Sequence, residues 1–140
     1  MPITAILLAA GYATRLYPLT TDRPKALLPL GGGVILDGIY GAVVGCAPII
    51  TKVILITNSR FAKPFRQWAR GRRADVVVID DGTKTAQTRC GAIRDLALAM
   101  AQGRAEGDLL VVGTDPLFTW DLREFIAAAQ RRRTHAIVAF

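Results

Sequence analysis

Two cations in one stiffened loop are the first residues of this chain that could do chemistry. Arg15 and Lys25 lie within Leu7 to Leu30, LLAAGYATRLYPLTTDRPKALLPL, on the C-terminal side of a turn at Ala9, Ala10 and Gly11. Small residues at that turn let a ligand approach the backbone closely. Arginine offers a planar fork to phosphate oxygens and lysine a compact point charge. Pro18, Pro24 and Pro29 stiffen the segment between and after them. A carboxylate, Asp115, follows the apolar run Asp108 to Val112 (DLLVV). This set suits a metal-bound nucleoside triphosphate, with the cations on phosphates, Mg²⁺ on the carboxylate and backbone groups near the base. Neither GxxxxGK[ST] nor a GxGxxG after the first apolar run is present, which discounts a Walker loop and a dinucleotide fingerprint.

The elements that must position these residues alternate along the chain. Ile3 to Leu8 reads as a buried parallel strand, and Ile35, Leu36, Ile39, Tyr40, Val43 and Val44 draw an apolar stripe along a helix over 34–46. Lys52 to Thr57 (KVILIT) and Ala74 to Ile79 (ADVVVI) read as strands. Between them Asn58 and Ser59 offer turn and cap chemistry to a helix over 61–70, with Pro64 tolerable only in its first turn. Asp80, Asp81 and Gly82 mark a turn. A helix through Ile93, Leu96, Ala97 and Met100 is expected to stop near Gly103. Asp121 can cap a last helix over 122–132 with the stripe Leu122, Phe125, Ile126 and Ala129, and residues 134–140 (THAIVAF) read as a fifth strand carrying a structural His135. Such alternation predicts an α/β fold, a mostly parallel, three-layer α-β-α Rossmann-like sheet, incomplete at the C-terminus. Ligands bind such sheets at the carboxyl ends of the strands, where the opening loop, the 80–88 loop and Asp115 all emerge.

At 140 residues and 51% apolar composition, the chain can form one domain with a core of its own. No apolar run approaches the roughly 18 residues of a membrane span, and no signal sequence opens the chain, so a cytoplasmic protein is expected. Cys46 and Cys90 lack metal-ligand spacing and read as buried free thiols. The excess of 18 basic over 11 acidic residues gathers at Arg70 to Arg73 (RGRR) and Arg131 to Arg133 (RRR). Both runs fall at expected helix C-termini, where cations suit the helix dipole, so neither nucleic acid nor membrane is expected as a partner. Trp68 and Trp120 read as packing residues rather than base-stacking ones.

Positions 7 to 30 resemble the opening signature of the sugar-1-phosphate nucleotidyltransferases, LAAGxGTRLxPLTxxxPKxLLPV, at Thr14-Arg15-Leu16, Pro18-Leu19-Thr20 and Pro24-Lys25. Residues 80–96 (DDGTKTAQTRCGAIRDL) and Thr114-Asp115-Pro116-Leu117-Phe118, set against the family's GDNLF, extend the likeness. The resemblance implies a fold of the nucleotide-diphospho-sugar transferase type. It also implies transfer of a nucleoside monophosphate from a nucleoside triphosphate to a sugar 1-phosphate with release of pyrophosphate. Arg15 and Lys25 would be catalytic, Asp115 would hold Mg²⁺, and Leu8, Ala10, Gly11 and Gly91 would contact the nucleotide. Ala13 replaces the signature's second loop glycine, which predicts ordinary φ there and a turn made by Gly11. The family's remaining metal carboxylate and most of its sugar contacts come from sequence beyond position 140.

Three other readings stand beside this one, the first of them favoured by these departures. One is a nucleotide-binding module without catalysis, another a cytidylyltransferase acting on a phosphorylated alcohol such as phosphocholine. The third is an assembly role in which the exposed last strand pairs with a second copy as a homo-oligomer.

Overall fold

The apolar runs fold much as their periodicity requires. The structure, a computed structural model, describes residues 1–114 and 119–137. β1 (Ile3–Leu8) leads through two short 3₁₀ turns into a small hairpin, β2 (Pro29–Leu30) and β3 (Gly33–Val34). Then come α1 (Ile35–Val44), β4 (Ile50–Thr57), α2 (Ala62–Ala69), β5 (Val76–Asp80), α3 (Ala92–Gly103), β6 (Asp108–Gly113) and α4 (Leu122–Arg132). The four long strands pair in parallel in the order β5-β4-β1-β6.

One face of the sheet, with Ala5, Leu7, Val53, Leu55 and Val112, packs against α1, α2 and α4. The other, with Ile6, Ile54, Ile56 and Ile79, packs against α3. After β5 the chain crosses back over the sheet through α3 and adds β6 on the far side of β1. The strand order therefore reverses between β1 and β6, the place where open α/β sheets form their ligand crevice.

Asp37 fastens the helical layer. Its Oδ2 accepts from the Val34 N–H at 2.8 Å, capping the start of α1. Its Oδ1 accepts from Trp68 Nε1 at 2.9 Å and pairs with Arg72 at 2.9 Å, while the Arg72 guanidinium lies 4.5 Å from the Trp68 ring centre. Partial burial raises the Asp37 carboxyl, but the Val34, Trp68 and Arg72 contacts outweigh it and hold the group below its ordinary value of 3.8. Trp68 is thus a packing residue, as is Trp120, whose ring meets Phe125 edge-on at 5.8 Å. Pro64 sits in the first turn of α2, and Asp121 caps α4 by accepting from the Arg123 N–H at 2.8 Å.

Three observations bear on these expectations. First, the helix expected through Ile93, Leu96, Ala97 and Met100 forms as α3 and ends at Gly103, but Ile93 is 87% exposed and Met100 is exposed too. The face turned to the sheet is Asp95, Ala99 and Gly103, flanked by Leu96 and Leu98. The reason is distance of approach. A Cβ on Gly103 would collide with the buried Ile54 side chain, so the helix lies where only small residues fit beneath it. Lys52 Nζ then caps the helix, donating to the carbonyls of Gly103 at 2.9 Å and Arg104 at 3.0 Å. Second, Thr134 to Ile137 form no strand and His135 is exposed, while residues 138–140 lie outside the described residues. Third, Cys46 is buried as expected, its thiol pushed up by burial, but Cys90 is only half-buried.

Two measurements test this packing. Gly103→Ala should destabilise the protein by about 1–3 kcal/mol in urea unfolding, the usual cost of overpacking, whereas Ile93→Gln should stay within about 0.5 kcal/mol. Asp37 has a lowered folded value, so its contribution is fully present above 3.8 and is lost as pH falls through that lowered value. Asp37→Asn should therefore cost on the order of 2 kcal/mol at pH 7, and the gap to wild type should close in acid.

Candidate functional site

The carboxyl ends of β1, β4, β5 and β6 are tied together by short polar side chains. Asn58, wholly buried at the end of β4, donates from Nδ2 to the Ala10 carbonyl at 3.0 Å and accepts from the Phe61 N–H at 3.1 Å. The Ala9 N–H reaches the Ile56 carbonyl at 2.9 Å. On the other flank Thr114 Oγ1 donates to the Leu8 carbonyl at 3.0 Å. Leu8, Ala10 and Gly11 are therefore held between β4 and the end of β6, the strand that leads to Asp115. Asp115 itself lies outside the described residues.

Past Gly11 the loop is held from below. The Tyr12 ring is buried, 6.3 Å from the Phe61 ring centre, and its hydroxyl lies 3.1 Å from Thr83 Oγ1. Ala13 corrects an expectation: it adopts the left-handed conformation at φ 47°, ψ 46°, whereas Gly11 is not among the positive-φ glycines. Thr20, also wholly buried, donates to the Ala13 carbonyl at 2.7 Å and holds that turn in place. Arg15 follows in the 3₁₀ turn Thr14–Leu16 and is exposed. Arg60 donates to the Thr21 carbonyl and adds a third cation at this edge. Lys25 opens the turn Lys25–Leu27, anchored by buried Ala26 and Leu27. Both expected catalytic cations thus ride on fixed backbone in one loop, one at each end of the Pro18 to Pro24 span.

The β5 turn completes the edge. Asp80 Oδ1 accepts from Ser59 Oγ at 2.6 Å and from the Gly82 N–H at 2.8 Å. Asp81 Oδ1 accepts from both the N–H and Oγ1 of Thr83 at 2.7 Å. Both aspartates are turn residues, as expected. Burial, and then the neighbouring Asp81 carboxylate, push Asp95 up to about 6, with Arg94 opposing. Gly91 caps α3 at φ 85°, a conformation that side chains resist. A chain of contacts links it to the first loop by way of Asp95, Asp81, Thr83 and Tyr12. A hollow of about 420 Å³ between the end of α2 and the start of β5 lies at the opposite edge of the sheet.

Sequence reasoning reached the cations and the loop backbone but missed what holds them. Tyr12 occupies the variable position of the signature and Thr83 is a polar residue in a loop, so no local pattern marks either as a buried partner, and the signature fixes Thr20 without showing that its hydroxyl holds Ala13.

Ala13→Gly should stabilise the chain by about 1 kcal/mol by relieving the left-handed alanine. The readout is a higher urea midpoint at unchanged m, and a lower midpoint would show that the turn is unstrained.

A family profile described as nucleotidyl transferase matches residues 4–140. The chain is 29% identical over 122 residues to the bifunctional protein GlmU of Methanococcus vannielii, covering 87% of this chain and 27% of that protein. It is 32% identical over 122 residues to the N-acetylmuramate alpha-1-phosphate uridylyltransferase of Caulobacter vibrioides, covering 84% and 47%. Its fold matches a protein assigned as a glucose-1-phosphate thymidylyltransferase from Bacillus anthracis, with a TM-score of 0.81 at 20% identity over 94% of this chain and 51% of that one. The chain thus spans from about a quarter to half the length of these proteins. With the signature at 7–30, the reversal of strand order beside it and a match running over nearly every residue, the chain belongs to the nucleotidyl transferase family.

Proposed function

We propose that residues 1–140 form a nucleotide-binding domain that takes part in forming a nucleotide sugar from a nucleoside triphosphate and a sugar 1-phosphate. An oxygen of the sugar phosphate attacks the α-phosphorus, the bond from that phosphorus to the bridging oxygen breaks, and pyrophosphate leaves with the electron pair. No covalent enzyme intermediate is needed. The observation that carries this reading is the Ala10–Lys25 loop, fixed at the point where strand order reverses and bearing Arg15 and Lys25 on rigid turns.

Each residue has a role in this reading. Backbone groups of Leu8, Ala10 and Gly11, with Gly91 across the edge, receive the base and ribose. Arg15 grips the triphosphate, and Lys25 neutralises phosphate oxygens as charge shifts toward the leaving group. A hard carboxylate at Asp115 suits Mg²⁺, and the strand leading to it is bonded to Leu8 through Thr114. Mg²⁺ held there would supply further charge neutralisation on the phosphates. Such substrates also imply a cytoplasmic site of action, and no helix among the described residues is long and apolar enough to cross a membrane.

Pyrophosphate release should be measured over a matrix of nucleoside triphosphates and sugar 1-phosphates, with Mg²⁺ and with EDTA. Arg15→Ala should lower kcat/KM about a hundredfold or more at unchanged stability, because Arg15 is exposed. Activity indifferent to that substitution would overturn its role. The metal motif reads Thr114-Asp115-Pro116 where the family has Gly-Asp-Asn, and this departure favours as second reading a module that binds nucleotide without turnover. Saturable nucleotide binding with no pyrophosphate from any pair would establish it.

A further inference from the structure

Three side chains to which the proposed reaction assigns no role meet behind the β5 turn. Asp81 follows β5, Cys90 precedes Gly91, and Asp95 lies in the first turn of α3. One ligand atom from each lies within 4.8 Å of the other two. Asp95 is 6% exposed, and its Oδ1 is buried with no hydrogen-bond partner. Asp81 Oδ2 is likewise buried and unpartnered, although Thr83 fully occupies its sister oxygen. Ionised carboxylate oxygens only accept, and burying two of them together with no donor is costly. Either a shared proton or a cation between them removes that cost. A proton needs no third ligand, but the cluster contains one, the Cys90 sulfur.

We propose that Asp81, Cys90 and Asp95 form a binding site for a divalent transition-metal ion of the Zn²⁺ type, separate from the Mg²⁺ position proposed at Asp115. A thiolate is a soft ligand and selects such ions over Mg²⁺. Tetrahedral Zn²⁺ holds oxygen at about 2.0–2.2 Å and sulfur at about 2.3 Å, which puts ligand atoms roughly 3.3–3.7 Å apart. Small side-chain movements close the cluster to that spacing. Three protein ligands leave the fourth position to water, and the Cys90 thiol releases its proton as the metal–sulfur bond forms. The ion would clip the 81–90 loop to α3 immediately before Gly91, fixing the glycine that faces the nucleotide in the reading above. The binding chemistry itself does not depend on that reading.

The test uses the full chain stripped with EDTA and titrated with Co²⁺ as the spectroscopic probe. One equivalent should bind with a thiolate-to-cobalt charge-transfer band in the near ultraviolet and intense tetrahedral visible bands, both abolished by Zn²⁺ and untouched by excess Mg²⁺. Cys90→Ser should remove the charge-transfer band. Asp95→Asn, which removes a buried acid and so leaves the fold intact, should weaken binding at least tenfold. Asp115→Asn should change neither. The proposal is overturned if no thiolate band forms, if the band survives Cys90→Ser, or if Asp95→Asn binds as tightly as wild type. Those outcomes would leave a shared proton between the aspartates, and none of them bears on pyrophosphate release.

Discussion

A buried amide side chain must have partners at both ends, and Asn58 finds them only when three segments meet. Its position at the end of β4 is set by the sheet, its oxygen takes the Phe61 N–H at the start of α2, and its amide nitrogen takes the Ala10 carbonyl. Leaving either end unmet in the interior costs on the order of 1–3 kcal/mol, so the first loop has one favourable path out of β1. Tyr12, Thr20 and Thr114 then hold successive points of that path. The backbone proposed to meet the nucleotide is thus shaped from behind, by side chains bonded to it from the core.

This arrangement separates rigidity from charge. Arg15 is exposed, and its placement comes from the turn on which it stands rather than from packing of the side chain. Ala13 accepts an unfavourable conformation to set that turn, and a buried threonine holds it there. A cation that stays hydrated until a phosphate arrives gives up little on binding, whereas the loop that carries it has already lost its freedom on folding.

Much of the fold was legible because burial on both faces of a parallel sheet produces unbroken apolar runs, as in Ile3 to Leu8 and KVILIT. The helix of α1 was legible for a related reason, since Leu36, Ile39, Tyr40 and Val43 all face the core. The buried face of α3 was not, because close packing on isoleucines selects small residues, and alanine, glycine and aspartate do not register as an apolar stripe. The signature at 7–30 showed which residues could meet phosphate but was silent on Asn58 as the partner of Ala10. That pairing joins residues 48 apart in the chain, and no local pattern encodes it. Ala13 was misread since its tolerance for a left-handed turn is supplied by Thr20, seven residues on.

The pairing of β1 with β6 sets Ile3 beside Asp108 at one edge of the sheet, whereas β4 and β5 join from nearer in sequence. Closing so long a loop costs somewhat more entropy than the β1–β4 and β4–β5 pairings. The crevice between β1 and β6 is therefore walled by the strand pair of greatest sequence separation. A chain that had assembled only its first three long strands would already own the arginine and lysine of the loop, yet it would lack one wall of the crevice. Competence to bind is in this way made a report on completion of the sheet.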